Sequence, residues 1–150
     1  MRRPVVGTAI GLGAALLLTA AMTTASATPP TSAAPKATQH PVLVDCLWHQ
    51  QFRPSDFILA CGDGNSRLIG MHWTQWDDKT AVAVGVNVVN DCKPYCAAGT
   101  FHGYRVTVRL DLPTAWKKHP NVQQYTRMTL TYADARPQGY TQVMNYPLWN

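Results

Sequence analysis

Cys92-Lys93-Pro94-Tyr95-Cys96 sets two cysteines around a proline. Thiol–disulfide exchange uses a similar pattern, but with two intervening residues and with the first cysteine opening a helix in a βαβ context. Three residues intervene here and no βαβ pattern surrounds them. The expected product is a structural disulfide that closes a surface loop. A second stretch, Leu59-Ala60-Cys61-Gly62-Asp63-Gly64-Asn65, holds the acid and amide oxygens of a cation loop. It continues to Arg67 and has no closing glutamate, which leaves too few ligands for calcium. Asp-Gly followed by Asn supplies the positive-φ residues of a tight turn, and a turn is expected there.

The remaining reactive side chains form no motif. His40, His49, His72, His102 and His119 are scattered, with no i, i+4 pair to put two imidazoles on one helical face, so no metal or cofactor is expected. No serine lies in the Gly-x-Ser-x-Gly elbow of a hydrolase, and Ser66, His72 and Asp63 are the nearest approach to a triad. Glutamate is absent, so a glycosidase pair would need two aspartates with opposed pKa values. No catalytic residue is assigned, and a small secreted hydrolase stands as an alternative. The aromatic set offers sugar-stacking surfaces: Trp48, Trp73, Trp76, Trp116 and Trp149, with six tyrosines. Trp73 and Trp76 are three apart and point to opposite faces of a regular strand, so one core and one rim tryptophan are expected unless a bulge intervenes.

These residues need a scaffold, and the chain begins with an address. Arg2 and Arg3 precede an apolar stretch that ends at Ala25-Ser26-Ala27, the small-x-small pattern of signal peptidase. Residues 1–27 are expected to be a signal peptide cleaved after Ala27, which leaves the mature chain free of membrane. Residues 28–40 are mostly proline, threonine, serine and alanine with no large apolar side chain, and are expected to be a disordered leader. Residues 41–150 then form one domain. The formal charge of +5 falls to about +3 without the two arginines, too dilute for nucleic acid. A monomer is expected.

Four cysteines in an oxidising compartment imply two disulfides, for which three pairings are open. Cys46–Cys61 with Cys92–Cys96 is favoured because each closes a local loop, stabilising by roughly 3 and roughly 2 kcal/mol in the chain-entropy model. The apolar period is two. Tyr104, Val106, Val108, Leu110 and Leu112 share one face, and Met128, Leu130 and Tyr132 another. The valine-rich run 80–89 contains Gly85, which predicts a bulge or bend. Residues 41–46 would add an edge strand, and residues 113–125 one turn of helix before Pro120. The fold class is all-β: a small antiparallel sandwich or barrel of about six strands with two disulfides.

The order Cys46, Arg53-Pro54-Ser55 through Cys61-Gly62-Asp63-Gly64-Asn65 to Leu68, Trp73 and Trp76, then Asn90, Cys92, Pro94, Cys96-Ala97-Ala98-Gly99 and Phe101, resembles small secreted proteins of high-GC actinobacteria. The resemblance runs from Cys46 to Leu112 and implies export and disulfides, with no activity attached. The expected function is therefore that of a non-enzymatic extracellular binding or interaction module, with a cell-envelope glycan or a secreted protein as partner. Lys93 and Tyr95 in the closed loop, with Trp76 beside them, are the expected contact residues. A rigid exposed loop would also serve a protease inhibitor, the second alternative.

Overall fold

The computed structural model describes residues 40–149, so the expected signal peptide and all of the leader but His40 lie outside the described residues. The strands are β1 (Leu43–Val44), β2 (Gln50–Gln51), β3 (Phe57–Ile58), β4 (Ser66–Trp76), β5 (Ala81–Asn90), β6 (Phe101–Trp116), β7 (His119–Tyr132) and β8 (Val143–Pro147). Strands β3 to β8 pair in sequence order as a six-stranded antiparallel sheet, and β1 pairs with β2 in a ribbon of its own. The all-β expectation holds, and both favoured disulfides, Cys46–Cys61 and Cys92–Cys96, are formed.

The two-residue period explains the pairing. Val106, Val108 and Leu110 are buried while Arg105, Thr107 and Arg109 face solvent, and Met128, Leu130 and Tyr132 are buried opposite them. Register aligns these side chains into rows across the sheet: Trp73, Ala83, Val108, Leu130, Met144 in one, and Trp76, Ala81, Leu110, Met128, Tyr146 in the next. Ala81 and Ala83 are fully buried and small, which leaves room over β5 for the two indoles beside them. The sheet curls over this core. Its edge strands, β3 and β8, are not paired with each other. Side chains bridge them instead, since Trp149 stacks on Phe57 with ring centroids 6.2 Å apart and donates through Nε1 to the Asp45 carbonyl at 3.1 Å.

Several local expectations are corrected. The irregularity foreseen at Gly85 belongs to β4: Ile69 pairs with Val86 and His72 with Val84, so Gly70 and Met71 both oppose Gly85. Gly70 has φ +58, and a β-carbon on Gly85 would lie 3.1 Å from Met71 Cγ. Glycine at each position therefore makes the bulge fit. Leu112, expected in the core, takes φ 53 and is half-exposed, while Asp111 beside it is covered by Arg109 and Arg127 on the outer face. Residues 113–125 form no helical turn; β6 and β7 run through them and join in a hairpin at Lys117-Lys118. Burial of Trp116 and Tyr125 outweighs the local helical signal. The strand expected from residues 41–46 is not an edge of the main sheet, because β1 pairs with β2 and Val42 bonds in parallel to β7.

Candidate binding cleft beside the Cys92–Cys96 loop

The turn at 59–65 and the loop at 91–100 lie together, and Asn90 joins them. Asn90 ends β5 and is 8% exposed. Its side-chain amide donates to Asn65 Oδ1 and to the Cys96 carbonyl, both at 2.8 Å, and its Oδ1 accepts from the Cys92 amide at 3.0 Å. The Leu59–Asn65 stretch is thus a turn, as expected: Gly64 has φ +68, and Asp63 accepts from the Asn65 amide at 3.0 Å and its side chain at 2.8 Å. Asn65 Oδ1 in turn accepts from the Asn90 side-chain amide. Gly99 completes the arrangement, since a β-carbon there would fall 2.1 Å from Asn90 Oδ1.

Asp91, next along the chain, works as a second clamp. Its Oδ1 accepts from the amides of Thr100 (2.9 Å) and Lys93 (3.1 Å), and Oδ2 lies 3.0 Å from His102 Nε2. The Thr100 amide, then His102, then the Lys93 amide hold the carboxyl down at about 2, so it is ionised at neutral pH and fixes the imidazole. Lys93 leaves the loop and donates through Nζ to Gln138 Oε1 at 2.8 Å.

Between the loop and residues 137–140 runs a cleft of about 510 Å³, walled by Asp91, Lys93, His102, Tyr104, Gln138 and Tyr140. That volume is ordinary for a small-ligand site, roughly 300–1,000 Å³. Buried Tyr132 supports both aromatic walls from below. Tyr104 and Tyr140 each meet its ring edge-on with centroids 6.3 Å apart. The Tyr132 hydroxyl donates to Asn87 Oδ1 at 2.8 Å, and burial pushes its pKa up, which keeps it protonated. The cleft thus offers two tyrosine rings, a cation, a carboxylate, an imidazole and an amide, held by a short closed loop and an underlying core residue. Such a set stacks on apolar ring faces and exchanges hydrogen bonds with hydroxyls.

Of the expected contact residues, Lys93 lines this cleft. Tyr95 is 64% exposed on the loop and stands outside the lining. Trp76 is corrected: it is 5% exposed, it packs against Trp73 and Tyr125, and it donates to the Pro41 carbonyl at 2.8 Å. It pairs with Ala81, nine residues along β5 from Asn90, which puts it about 30 Å from the loop at ~3.3 Å per residue. A second register shift in β4, between Trp73 and Gln75, brings both indoles to the same side at 4.5 Å, with Trp73 at the rim. The possible triad does not assemble. Ser66 Oγ accepts from Asn87, Asp63 is taken by Asn65, and His72 lies six residues along β4 from Ser66, about 20 Å away.

Sequence reasoning missed Asp91, His102, Tyr104, Gln138 and Tyr140. Tyr104 passes for a core residue by its alternation, and residues 133–142 belong to no strand. The available signals were Asp91 directly before the loop cysteine and an aromatic just after a Pro-Gln-Gly turn.

Comparison with known proteins adds no family to this geometry. No protein-family model, curated protein or solved structure matches the chain. The site therefore rests on its own chemistry. Among the described residues no group of three or more His, Cys or Asp side chains could hold a metal ion, and no helix is long and apolar enough to cross a membrane.

Proposed function

We propose that this chain is a non-enzymatic extracellular binding domain that takes a hydroxyl-rich ligand, a glycan of the cell envelope, in the cleft between the Cys92–Cys96 loop and residues 137–140. Export through residues 1–27 is part of the reading, and the two disulfides accord with an oxidising compartment. One observation carries the proposal: Tyr104 and Tyr140 stand in one cleft with Lys93, Asp91, His102 and Gln138. Aromatic faces for sugar C–H groups, with mixed donors and acceptors for hydroxyls, are what a glycan site needs.

Retention of the exported chain on purified cell-wall glycan tests this. The wild type is expected to be retained, and Tyr140→Ala to lose about tenfold in affinity, the equivalent of one aromatic contact of roughly 1.4 kcal/mol. Lys93→Gln is expected to weaken retention while leaving the thermal melt in place. Equal retention by Tyr140→Ala would remove the cleft as the site.

A further inference from the structure

Leu47, 72% exposed, and Trp48, 40% exposed, stand in the β1–β2 turn inside the loop closed by Cys46 and Cys61; Phe52, 56% exposed, follows β2 and meets the Trp76 ring edge-on at 5.1 Å, and Ile58 lies in β3 opposite Arg67. Two residues of this loop hold left-handed backbone without being glycine, Trp48 with φ 65 and Arg53 with φ 50. For a tryptophan that conformation is an uncommon one, of the kind that persists where function retains the side chain. Both side chains are engaged in the same way. Lys118 Nζ, from the β6–β7 hairpin, lies 3.9 Å from the centre of the Trp48 ring, and the Arg53 guanidinium lies 5.5 Å from that of Phe52. The basic tip of the β6–β7 hairpin therefore stands beside the apolar β1–β2 turn, with Lys118 against Trp48, and Arg53 adds a second cation after β2. The two acids at this loop are engaged elsewhere: Asp45 accepts from the amides of Leu47 and His49 and from the Gln51 side chain, and Asp56 from the Ser55 hydroxyl and the Gly70 amide.

We infer that this tip docks on an anionic lipid surface. Tryptophan occupies the headgroup level of a bilayer, an exposed leucine reaches below it, and a cation close beside them meets the phosphates. An exposed apolar turn with a cation against its tryptophan fits a deformable anionic interface, which needs no complementary pocket. This site is at the β1–β2 turn, made of different residues from the Cys92–Cys96 cleft, and stands independently of the glycan reading. It also departs from the expectation of no membrane contact after signal cleavage, in that the contact is peripheral and involves no spanning segment.

Vesicle flotation tests it, using the exported chain with its N-terminus defined by intact mass. The wild type is expected to float with vesicles of equal phosphatidylglycerol and phosphatidylcholine, to stay down with phosphatidylcholine alone, and to be released by 0.5 M salt through screening. Leu47→Asp, in an exposed turn, is expected to lose at least tenfold in vesicle affinity with an unchanged melt, and Arg53→Gln/Lys118→Gln to lose the preference for anionic lipid. Failure of the wild type to float overturns the inference. So does flotation of Leu47→Asp as efficient as the wild type's, which would place any lipid contact elsewhere in the chain. Concentration-dependent dimerisation abolished by Leu47→Asp, without vesicle binding, would reassign the patch to a second copy.

Discussion

Replacing Asn90 by alanine should loosen both the turn at 59–65 and the Cys92–Cys96 loop, because one side chain serves them both. Three side-chain hydrogen bonds are removed: two donated to Asn65 Oδ1 and the Cys96 carbonyl, one accepted from the Cys92 amide. Asn90 is 8% exposed, so water replaces these partners poorly. At roughly 0.5–1.5 kcal/mol per bond, with some added cost for groups left without partners, the loss comes to about 2–4 kcal/mol. In a domain of this size that corresponds to a fall in Tm of roughly 8–16 °C. Urea unfolding of the wild type and the Asn90→Ala variant reads the difference directly as a shift of the midpoint at constant slope. Asn90→Asp provides a graded comparison, since it keeps the acceptor for the Cys92 amide and loses both donors. A change within about 0.5 kcal/mol for Asn90→Ala, the range of an ordinary surface substitution, would refute the role given to this residue.

Three other outcomes follow from the same geometry. Asp77 and Asp91 titrate at about 2 against an ordinary 3.8, so between these values the folded chain binds fewer protons than the unfolded one; stability should fall as pH drops from about 4 towards 2, and a flat urea midpoint across that window would contradict it. The hydrogen bonds responsible are Gln75 and the Lys79 and Thr80 amides for Asp77, and the Thr100 amide, His102 and the Lys93 amide for Asp91. The double change Cys92→Ser/Cys96→Ser should cost about 2 kcal/mol and Cys46→Ser/Cys61→Ser about 3, by denaturant midpoints, since the two loops span 4 and 15 residues. Tyr132→Phe should cost about 1–3 kcal/mol, because Asn87 Oδ1 loses its donor in a buried site, and an unchanged melt would show that bond to be dispensable.

Much of the scaffold was legible because alternation is a strong constraint on a half-buried strand. Val106, Val108, Leu110, Met128, Leu130 and Tyr132 were placed by period alone and are buried as expected. Local loops were legible for a similar reason, since Cys46–Cys61, Cys92–Cys96 and the Asp63-Gly64 turn each close over short distances. Errors arose where a partner strand decides. The bulge signalled by Gly85 is carried by Gly70 and Met71 across the ladder, and the helical signal in 113–125 gives way to burial of Trp116 and Tyr125. Trp76 shows the same limit, because an indole that suits a sugar also suits a core, and only its place opposite Ala81 decides between them. Lys93 lines the cleft, and it was legible as a candidate because its loop is local. The rest of the cleft was not legible: Tyr104 and His102 come from β6, Gln138 and Tyr140 from the segment before β8, and no spacing along the chain connects them.

The central claim, a glycan site between the Cys92–Cys96 loop and residues 137–140, is tested most directly by mapping contacts in solution. Soluble cell-wall glycan fragments would be titrated into the isotopically labelled exported chain while its amide and aromatic resonances are followed. The account predicts saturable shifts concentrated on Lys93, His102, Tyr104, Gln138 and Tyr140, with Trp76 at the far end of the sheet unmoved. Shifts centred on other residues, or none at millimolar fragment, would contradict it.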